Sequence, residues 1–189
     1  MEKKLPEALV ALSAGAGSSP VKLMFQDEAR FGRISDVRRC WAPFPVRPLC
    51  RGMLTHEYTY AYGAVDVVSG ELDSLILPHV NTDCTQIFLD EVAARHPAHH
   101  IIMVLDGAGW HRSATLKVPP NMRLLPLPPY APELNPVEYL WAHLKSHEIA
   151  NLITTQAWEL SFEATAALRK MRRRPSIIAA CFSQAELWP

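Results

Sequence analysis

The segment Ile101-Ile102-Met103-Val104-Leu105-Asp106 decides the fold class, because five consecutive apolar residues lead directly into a carboxylate. A second short run of this kind, residues 21–26, leads into Asp27. Runs of this length are typical of strands buried in a sheet. In open α/β sheets, functional side chains gather where such strands end, so Asp27 and Asp106 are candidate site residues.

Further strands are predicted on either side of these two segments. Residues 58–68 and 72–78 are rich in aromatic, β-branched and small residues, and the turn signal Ser69-Gly70 joins them into a meander. Residues 123–127 form another short strand pattern. Residues 38–48 contain three prolines, which favours a bent hairpin at the edge of the sheet rather than a central strand.

Three helices are predicted between and after the strands. The apolar spacing of residues 82–95 indicates an amphipathic helix. Asn135-Pro136 combines an N-cap residue with a proline at the first helical position, which predicts a helix that reaches about Ala150. Residues 155–173 predict a final helix that ends in a basic run. This order of elements predicts an α/β fold with a mixed central β-sheet flanked by helices.

Composition limits the class of protein. A chain of 189 residues suggests one domain, and 49% apolar against 20% charged residues argues against disorder. The net charge of zero excludes a strongly basic coat protein of nucleic acid and an acidic-tailed chaperone. No apolar run approaches the ~20 residues that span a bilayer, so no membrane partner is expected. The four cysteines form no C-x-x-C pair, which favours reduced thiols in a cytoplasmic protein.

The neutral total hides an uneven distribution of charge. Residues 56–110 carry a net charge of −7, whereas residues 21–55 carry +4 and residues 111–189 carry +3. The basic blocks at 30–51 and 169–174 are candidate contacts to a DNA backbone. Binding through such blocks is predicted to be sensitive to salt.

A third carboxylate, Glu138, lies in the first turn of the helix opened by Asn135-Pro136. Three converging carboxylates can hold two Mg²⁺ ions about 4 Å apart. Each acid also has an ordinary structural interpretation: Asp27 as a turn former, Asp106-Gly107 as a turn, and Glu138 as a helix cap. Spacing and periodicity leave both interpretations open.

Four local motifs occur in a fixed order along the chain. They are QDEARFG at 26–32, RCWAP at 39–43, LDGAGWHRS at 105–113 and LPPYAPELNPVEYLW at 127–141. Together they resemble the catalytic domain of DDE transposases of the mariner superfamily, in its bacterial insertion-sequence branch. The resemblance covers roughly residues 20–150.

The resemblance implies a ribonuclease H-like fold and a shared chemistry. It assigns Asp27, Asp106 and Glu138 as the catalytic and metal-binding acids, with two Mg²⁺ or Mn²⁺ ions as cofactors. The interval of 32 positions between the last two acids is close to that of the family. The implied reaction is cleavage of DNA phosphodiesters at element ends, followed by transfer of the 3′-hydroxyl into target DNA. One departure is Gly107, where many members have Asn.

The resemblance also implies a domain organisation and partners. We expect a lead-in segment at 1–20, the catalytic domain at 21–150, and a C-terminal helix and tail at 151–189 packed on that domain. Full-length relatives carry helix-turn-helix DNA-binding domains before the catalytic domain, and the resemblance implies that this region is an expected partner outside residues 1–189. The expected partners are element-end and target DNA and a second copy of the chain, in the cytoplasm of a bacterium and associated with the nucleoid.

Supporting roles near the acids are predicted for polar side chains of the motifs and the basic blocks. Several of these side chains also have a structural alternative: Arg30 and Arg33 can pair with Glu28, His111 can be an ordinary surface histidine, and Lys145 can be an ordinary solvated lysine. Tyr130 and Asn135 are also candidates for ordering the loop before Glu138. Trp41 and Trp141 are predicted to pack rather than to stack on bases. The candidate DNA contacts are Arg30, Arg33, Arg38, Arg39, His111, Arg112, Tyr130, Asn135 and Lys145.

Two rival functions remain. His143 and His147 lie four residues apart on a predicted helix, but a zinc hydrolase would have H-E-x-x-H, and this chain has Leu144, Lys145 and Ser146 between the histidines. The stronger rival is a transposase-derived domain that binds DNA or dimerises without catalysis. Metal-dependent nicking of DNA discriminates between this rival and the enzyme.

Overall fold

The computed structural model describes residues 19–33, 41–47, 56–128, 135–150, 152 and 154–184. Its five strands form one mixed sheet in the order β3-β2-β1-β4-β5. Four α-helices flank the sheet within the described residues, which confirms the predicted fold class. The strands are β1 (Val21–Gly32), β2 (Tyr58–Asp66), β3 (Leu72–Leu77), β4 (His100–Leu105) and β5 (Met122–Pro126). The helices are α1 (Thr82–Arg95), α2 (Val137–His143), α3 (Ala157–Arg172) and α4 (Pro175–Gln184).

Strands β2 and β3 are joined as predicted, and β1 pairs with β2 to complete an antiparallel meander. Gly70 adopts a positive φ of 67° in the turn between β2 and β3, a conformation that glycine adopts without steric cost. Its N–H donates to the carbonyl of Asp66 (2.9 Å), which closes the turn. Strand β1 continues to Gly32, six residues beyond the predicted end, because it pairs with β2 along this whole length.

Strands β4 and β5 extend the sheet in parallel from β1. The crossover from β3 to β4 is α1, whose bounds match the prediction. Asn81 caps this helix by accepting a hydrogen bond from the backbone N–H of Cys84 (2.8 Å). Phe88 and Leu89 of α1 are buried against one face of the sheet, so apolar burial holds the crossover in place.

Helices α2, α3 and α4 cover the opposite face of the sheet. Helix α2 does not continue regularly to Ala150, because it changes to a π-helical turn at Leu144–Glu148. Leu140 of α2, Leu168 of α3 and Phe182 of α4 belong to the same buried cluster as Phe25 of β1. The three helices therefore share one core with the strand that carries Asp27.

Helix α4 has no counterpart among the elements predicted from the sequence. The basic run at 169–174 was interpreted as the end of the last helix, and α4 begins immediately after it at Pro175. Proline at a helix start followed by the apolar residues 177–182 was the available signal. Ile178 is fully buried, and Phe182 packs edge-on against Phe25 with ring centroids 6.3 Å apart.

The predicted edge hairpin at 38–48 is described only over its central residues 41–47. Residues 41–47, which are described, contain a turn and no strand. Trp41 is fully exposed there, so the prediction that it packs is wrong. Cys84 and Cys181 are free, buried thiols, whereas Cys40 and Cys50 lie outside the described residues. Within the part of the chain that the structure describes, no helix is long and apolar enough to cross a membrane.

Candidate active site

The register of β1 and β4 places Asp27 and Asp106 side by side. Phe25 pairs with Val104 in the parallel ladder, and each aspartate follows two residues after its member of this pair. Neighbouring strands lie about 4.8 Å apart. The two carboxylates therefore leave adjacent strands at the same level, at the carboxyl edge of the parallel part of the sheet.

Asp27 is a buried carboxylate that is held by one indole. Its side chain faces α2, and Nε1 of Trp141 donates to its Oδ2 at 3.0 Å. Burial, together with the nearby charges of Glu138 and Glu28, raises the pKa of Asp27 to about 8. Among the described residues, no Lys, Arg or His forms an ion pair with Asp27.

A glycine on the neighbouring strand makes room for this indole. Gly63 is the cross-strand partner of Asp27 in the β1–β2 ladder. A Cβ atom at position 63 would lie 2.7 Å from Cη2 and 2.9 Å from Cζ2 of Trp141. These distances are well below van der Waals contact, so the absence of a side chain at Gly63 allows Trp141 to reach Asp27.

Asp106 is half-exposed and bound by groups of its own loop. The backbone N–H of Ala108 lies 3.0 Å and Nδ1 of His111 lies 2.8 Å from its Oδ1. The hydrogen bond from His111 holds the pKa of Asp106 below its usual range, and the charge of Arg112 acts in the same direction. The guanidinium of Arg112 lies against Gly107 in the space that a Cβ atom would take. Gly107, at the position where many DDE transposases have Asn, thus leaves space for Arg112 beside Asp106.

Glu138 lies on the exposed surface in the first turn of α2. Asn135 positions this helix, because its Nδ2 donates to the carbonyl of Gln26 (3.0 Å) and its Oδ1 accepts from the N–H of Val137 (3.3 Å). Gln26 immediately precedes Asp27, so the start of α2 is tied to the strand that carries the first acid. The charge of Glu138 is close enough to raise the pKa of Asp27.

The donor set fits a hard divalent cation. All three acids offer oxygen ligands, which Mg²⁺ and Mn²⁺ prefer. The raised pKa of Asp27 shows a buried carboxylate beside two like charges, and a cation would supply the missing positive charge. No group of three acidic, histidine or cysteine side chains within the described residues is already drawn together around a metal position.

The comparisons with known proteins agree with this geometry. A family profile described as DDE superfamily endonuclease matches residues 22–158. The chain belongs to this family. A curated relative from Sinorhizobium fredii (strain NBRC 101917 / NGR234), named uncharacterized protein y4pE/y4sA, is 35% identical over 119 residues, which cover 62% of this chain and 88% of the relative.

Solved structures show the fold of this DDE endonuclease. A pre-cleavage Mos1 transpososome matches with a TM-score of 0.57 at 17% identity, covering 98% of this chain and 62% of the Mos1 chain. A Mos1 mariner paired-end complex with Mn matches with a TM-score of 0.56 at 17% identity and the same coverage. These matches confirm the ribonuclease H-like fold. The DDE endonuclease chain spans about 60% of the length of the Mos1 chains.

Arg33, Asn135 and His111 were predicted to contact DNA, but their side chains are buried and form hydrogen bonds within the fold. The guanidinium of Arg33 pairs with Glu57 and donates to the carbonyl of Thr154. Asn135 is 3% exposed and His111 is 6% exposed, and both hold neighbouring elements of the site. The structure does not support DNA contacts by these side chains, because no donor is left facing solvent. For Asn135, its role in ordering the chain before Glu138 agrees with the alternative interpretation.

Three further candidates are exposed to solvent. The guanidinium of Arg30 lies over the ring of Tyr58 at 4.6 Å, and the ammonium of Lys145 lies 5.8 Å from the ring centroid of Phe31. Arg112 is exposed beside Asp106. These three charges remain available to a polyanion. The candidates Arg38, Arg39 and Tyr130 lie outside the described residues.

The basic block at 169–174 is partly neutralised within the fold. Lys170 (2.5 Å) and Arg174 (2.9 Å) both pair with Glu148 of the π-helical turn. Arg172 donates to the carbonyl of Ser74 (2.6 Å). Arg169 and Arg173 line an open groove beside α3, and among the described residues they are the only basic side chains of the block that form no ion pair or hydrogen bond. Fewer basic side chains at 169–174 are therefore available to contact DNA than the sequence suggests.

Sequence reasoning missed two groups that hold the site. Trp141 was predicted to pack, and it is buried as expected, but its hydrogen bond to Asp27 was not foreseen. Glu28 was quoted within the first motif without a role in the site. Alternate residues of a strand point to opposite faces, so its position beside Asp27 gave no signal that Glu28 contacts His111.

Proposed function

We propose that this chain is the catalytic domain of a transposase, which cleaves DNA phosphodiesters at element ends and transfers the 3′-hydroxyl end into target DNA. One observation carries the proposal. Asp27 and Asp106 lie side by side on adjacent strands, just beyond the last parallel pair of β1 and β4, while Asn135 ties the helix that carries Glu138 to the strand of Asp27. Membership of the DDE endonuclease family supports the same chemistry.

Asp27, Asp106 and Glu138 are the residues that would hold divalent metal, in the form of two Mg²⁺ or Mn²⁺ ions. Such ions activate water and neutralise charge on the phosphodiester and its leaving oxygen. Mos1 paired-end complexes with Mn and with Mg are among the structural neighbours, which supports this choice of cofactor.

The protein itself orients the acids and shapes the surface around them. Trp141 fixes one oxygen of Asp27, and the β1–β4 register keeps Asp106 beside it. Because Asp27 is buried, its carboxylate has few water competitors and interacts strongly with a bound charge. Arg30, Arg112 and Lys145 are exposed cations that would contact the DNA backbone near the acids.

The partners follow from the same proposal. Neighbouring structures include a Mos1 paired-end complex with a left transposon end and a Mos1 strand transfer complex. By analogy, this domain would act on paired DNA ends as a dimer, with terminal sequences recognised by a helix-turn-helix region.

The test is metal-dependent nicking of supercoiled plasmid DNA by the purified chain. We expect nicking with Mn²⁺ or Mg²⁺, none with EDTA, and a loss of at least about 10³-fold in the Asp106→Ala variant, because a metal ligand is removed. Asp90→Asn is the matched control, since it changes an exposed carboxylate on α1, on the far side of the sheet from α2.

A defined result would overturn the enzyme assignment. If the folded chain binds DNA but shows no metal-dependent cleavage, even with a helix-turn-helix partner supplied, the domain is a non-catalytic DNA-binding or dimerisation module. Equal nicking by the wild type and Asp106→Ala would assign the activity to other residues or to a contaminant.

A further inference from the structure

The imidazole of His111 joins two carboxylates that come from different parts of the chain. Its Nδ1 lies 2.8 Å from Oδ1 of Asp106, and its Nε2 lies 3.0 Å from Oε1 of Glu28. The ring is 1% exposed, so both contacts are shielded from water. An imidazole that is engaged at both nitrogens is fixed in position and in rotation about its bond to Cβ.

We propose that His111 and Glu28 are positioning residues that fix the carboxylate of Asp106 for metal binding, through the hydrogen-bonded bridge Glu28–His111–Asp106. This inference rests on the proposed function, because it treats Asp106 as a metal ligand.

Asp106 needs such support because it lies beyond the sheet. The β1–β4 ladder ends at the pair Phe25–Val104, and β4 ends at Leu105. The carboxylate of Asp106 is half-exposed, so packing does not select one rotamer. Its Oδ1 has two partners, His111 and the N–H of Ala108, whereas its Oδ2 has no hydrogen-bond partner among the described residues. One oxygen is thus held, and the other is left to bind a cation.

Glu28 connects the bridge to the strand that carries the first acid. Gln26 lies on the same face of β1 and donates from Nε2 to Oε1 of Glu28 (3.0 Å). The side chain of Glu28 is only 7% exposed, so this anchor is also fixed. Strand β1 therefore carries Asp27 directly and supports Asp106 through His111. The spacing of the two acids depends on one rigid element, which is the usual requirement for a preorganised metal site.

Two substitutions at position 111 separate the two ends of the bridge. The amide nitrogen of Asn is as many bonds from Cβ as Nδ1 of His, so His111→Asn retains the contact to Asp106 and loses that to Glu28. The amide nitrogen of Gln corresponds in the same way to Nε2, so His111→Gln retains the contact to Glu28 and loses that to Asp106. His147→Gln is the matched control, because His147 is an exposed histidine of the π-helical turn.

The first measurement uses metal-free protein in EDTA and does not depend on catalysis. Hydrogen exchange of the Ala108 amide, followed by NMR, reports whether Oδ1 of Asp106 stays in place. We expect protection to fall by at least about tenfold in His111→Gln, to fall by a smaller factor of about threefold in His111→Asn, which keeps the contact to Asp106 but loses its anchor on Glu28, and to stay at the wild-type level in His147→Gln. Wild-type protection of Ala108 in His111→Gln would overturn the inference.

The second measurement is Mn²⁺ affinity without DNA, by electron paramagnetic resonance or calorimetry. Loss of a group that orients a metal ligand typically weakens affinity about 10–100-fold, and we expect this in His111→Gln and a smaller loss of about threefold in His111→Asn, where only the anchor on Glu28 is lost. In an Asp106→Ala background, His111→Gln should cause no further loss, because His111 acts through Asp106. Equal losses in the Asn and Gln variants, in protein that melts like the wild type, would contradict the bridge, and wild-type behaviour of His111→Asn in both measurements would exclude Glu28 from it.

Failure of the proposed function is recognised separately. If the wild type and Asp106→Ala bind Mn²⁺ equally, Asp106 is not a metal ligand, and both the enzyme assignment and the purpose of the bridge are wrong. If the wild type binds Mn²⁺ through Asp106 and nicks DNA, but His111→Gln behaves like the wild type in both measurements, only the inference about His111 and Glu28 is wrong.

Discussion

Substitution of Gly63 by alanine tests the steric basis of the Asp27 environment. The new Cβ atom would lie 2.7 Å from Cη2 of Trp141, whereas carbon atoms pack at about 3.5–4.0 Å. The indole would have to retreat by about 0.8 Å or more, and Trp141 is 2% exposed with little space to move. Overpacking of this kind costs about 1–3 kcal/mol.

The same movement breaks the hydrogen bond from Nε1 of Trp141 to Asp27, which is 3.0 Å long. Alanine in place of glycine also restricts the unfolded chain, which offsets the loss by about 0.5–1 kcal/mol. We therefore expect Gly63→Ala to lower the free energy of unfolding by a net ~1–2 kcal/mol and to weaken Mn²⁺ binding. Urea denaturation followed by circular dichroism measures the first effect.

A double-mutant cycle identifies the cause. Phenylalanine lacks the outer ring atoms that clash, so in a Trp141→Phe background Gly63→Ala should cost at least about 1 kcal/mol less than it does alone. Gly109→Ala is the control, because a Cβ atom at position 109 meets nothing within 4 Å. Additive effects of Gly63→Ala and Trp141→Phe would refute the steric argument.

Three further outcomes are expected. In EDTA, Asp27→Asn should flatten the pH dependence of the free energy of unfolding. The pKa of Asp27 is about 8 in the folded protein and near 4 in the unfolded chain, so the wild type loses stability as the pH rises between these values. At pH 8 the variant should therefore be more stable than the wild type by on the order of 2 kcal/mol. Parallel pH profiles of the two proteins in urea denaturation would contradict this. Arg33→Met should destabilise the fold by about 2–3 kcal/mol, because the carbonyl of Thr154 and Glu57 lose their donor, while the salt dependence of DNA binding stays unchanged. Arg173→Ala should instead leave the melting temperature unchanged and reduce the slope of log affinity for DNA against log salt concentration by about one. An unchanged slope would exclude the groove lined by Arg169 and Arg173 from the DNA surface.

Local patterns predicted most of the secondary structure. The bounds of α1 agree with the expectation, because its N-cap, apolar spacing and C-terminal basic residue all lie within the segment itself. The strands β2, β3, β4 and β5 were each predicted to within one or two residues. The full length of β1 was not, since its second half is stabilised by pairing with β2, which lies elsewhere in the chain.

The polar side chains around the acids were predicted less well, for a physical reason. A cationic or amide side chain in a DNA-associated motif has the same sequence signature whether it faces solvent or is buried. Arg33 bonds to Thr154, 121 residues away, and His111 bonds to Glu28, 83 residues away. No local pattern encodes such distant partners, so the interpretation of these residues as DNA contacts could only be corrected by the fold.

The sequence by itself determined that two buried apolar runs lead directly into carboxylates, that a third carboxylate follows Asn135-Pro136 in the first turn of a helix, and that four motifs resembling a DDE transposase follow in order. These are properties of neighbouring residues, which periodicity and turn chemistry express directly. Only the tertiary structure decided how each acid is held: Trp141 against Asp27 above Gly63, His111 between Glu28 and Asp106, and Asn135 between α2 and β1. Hydrogen bonding and burial depend on atoms that meet only after the chain has folded, and these contacts bring together residues up to 114 positions apart.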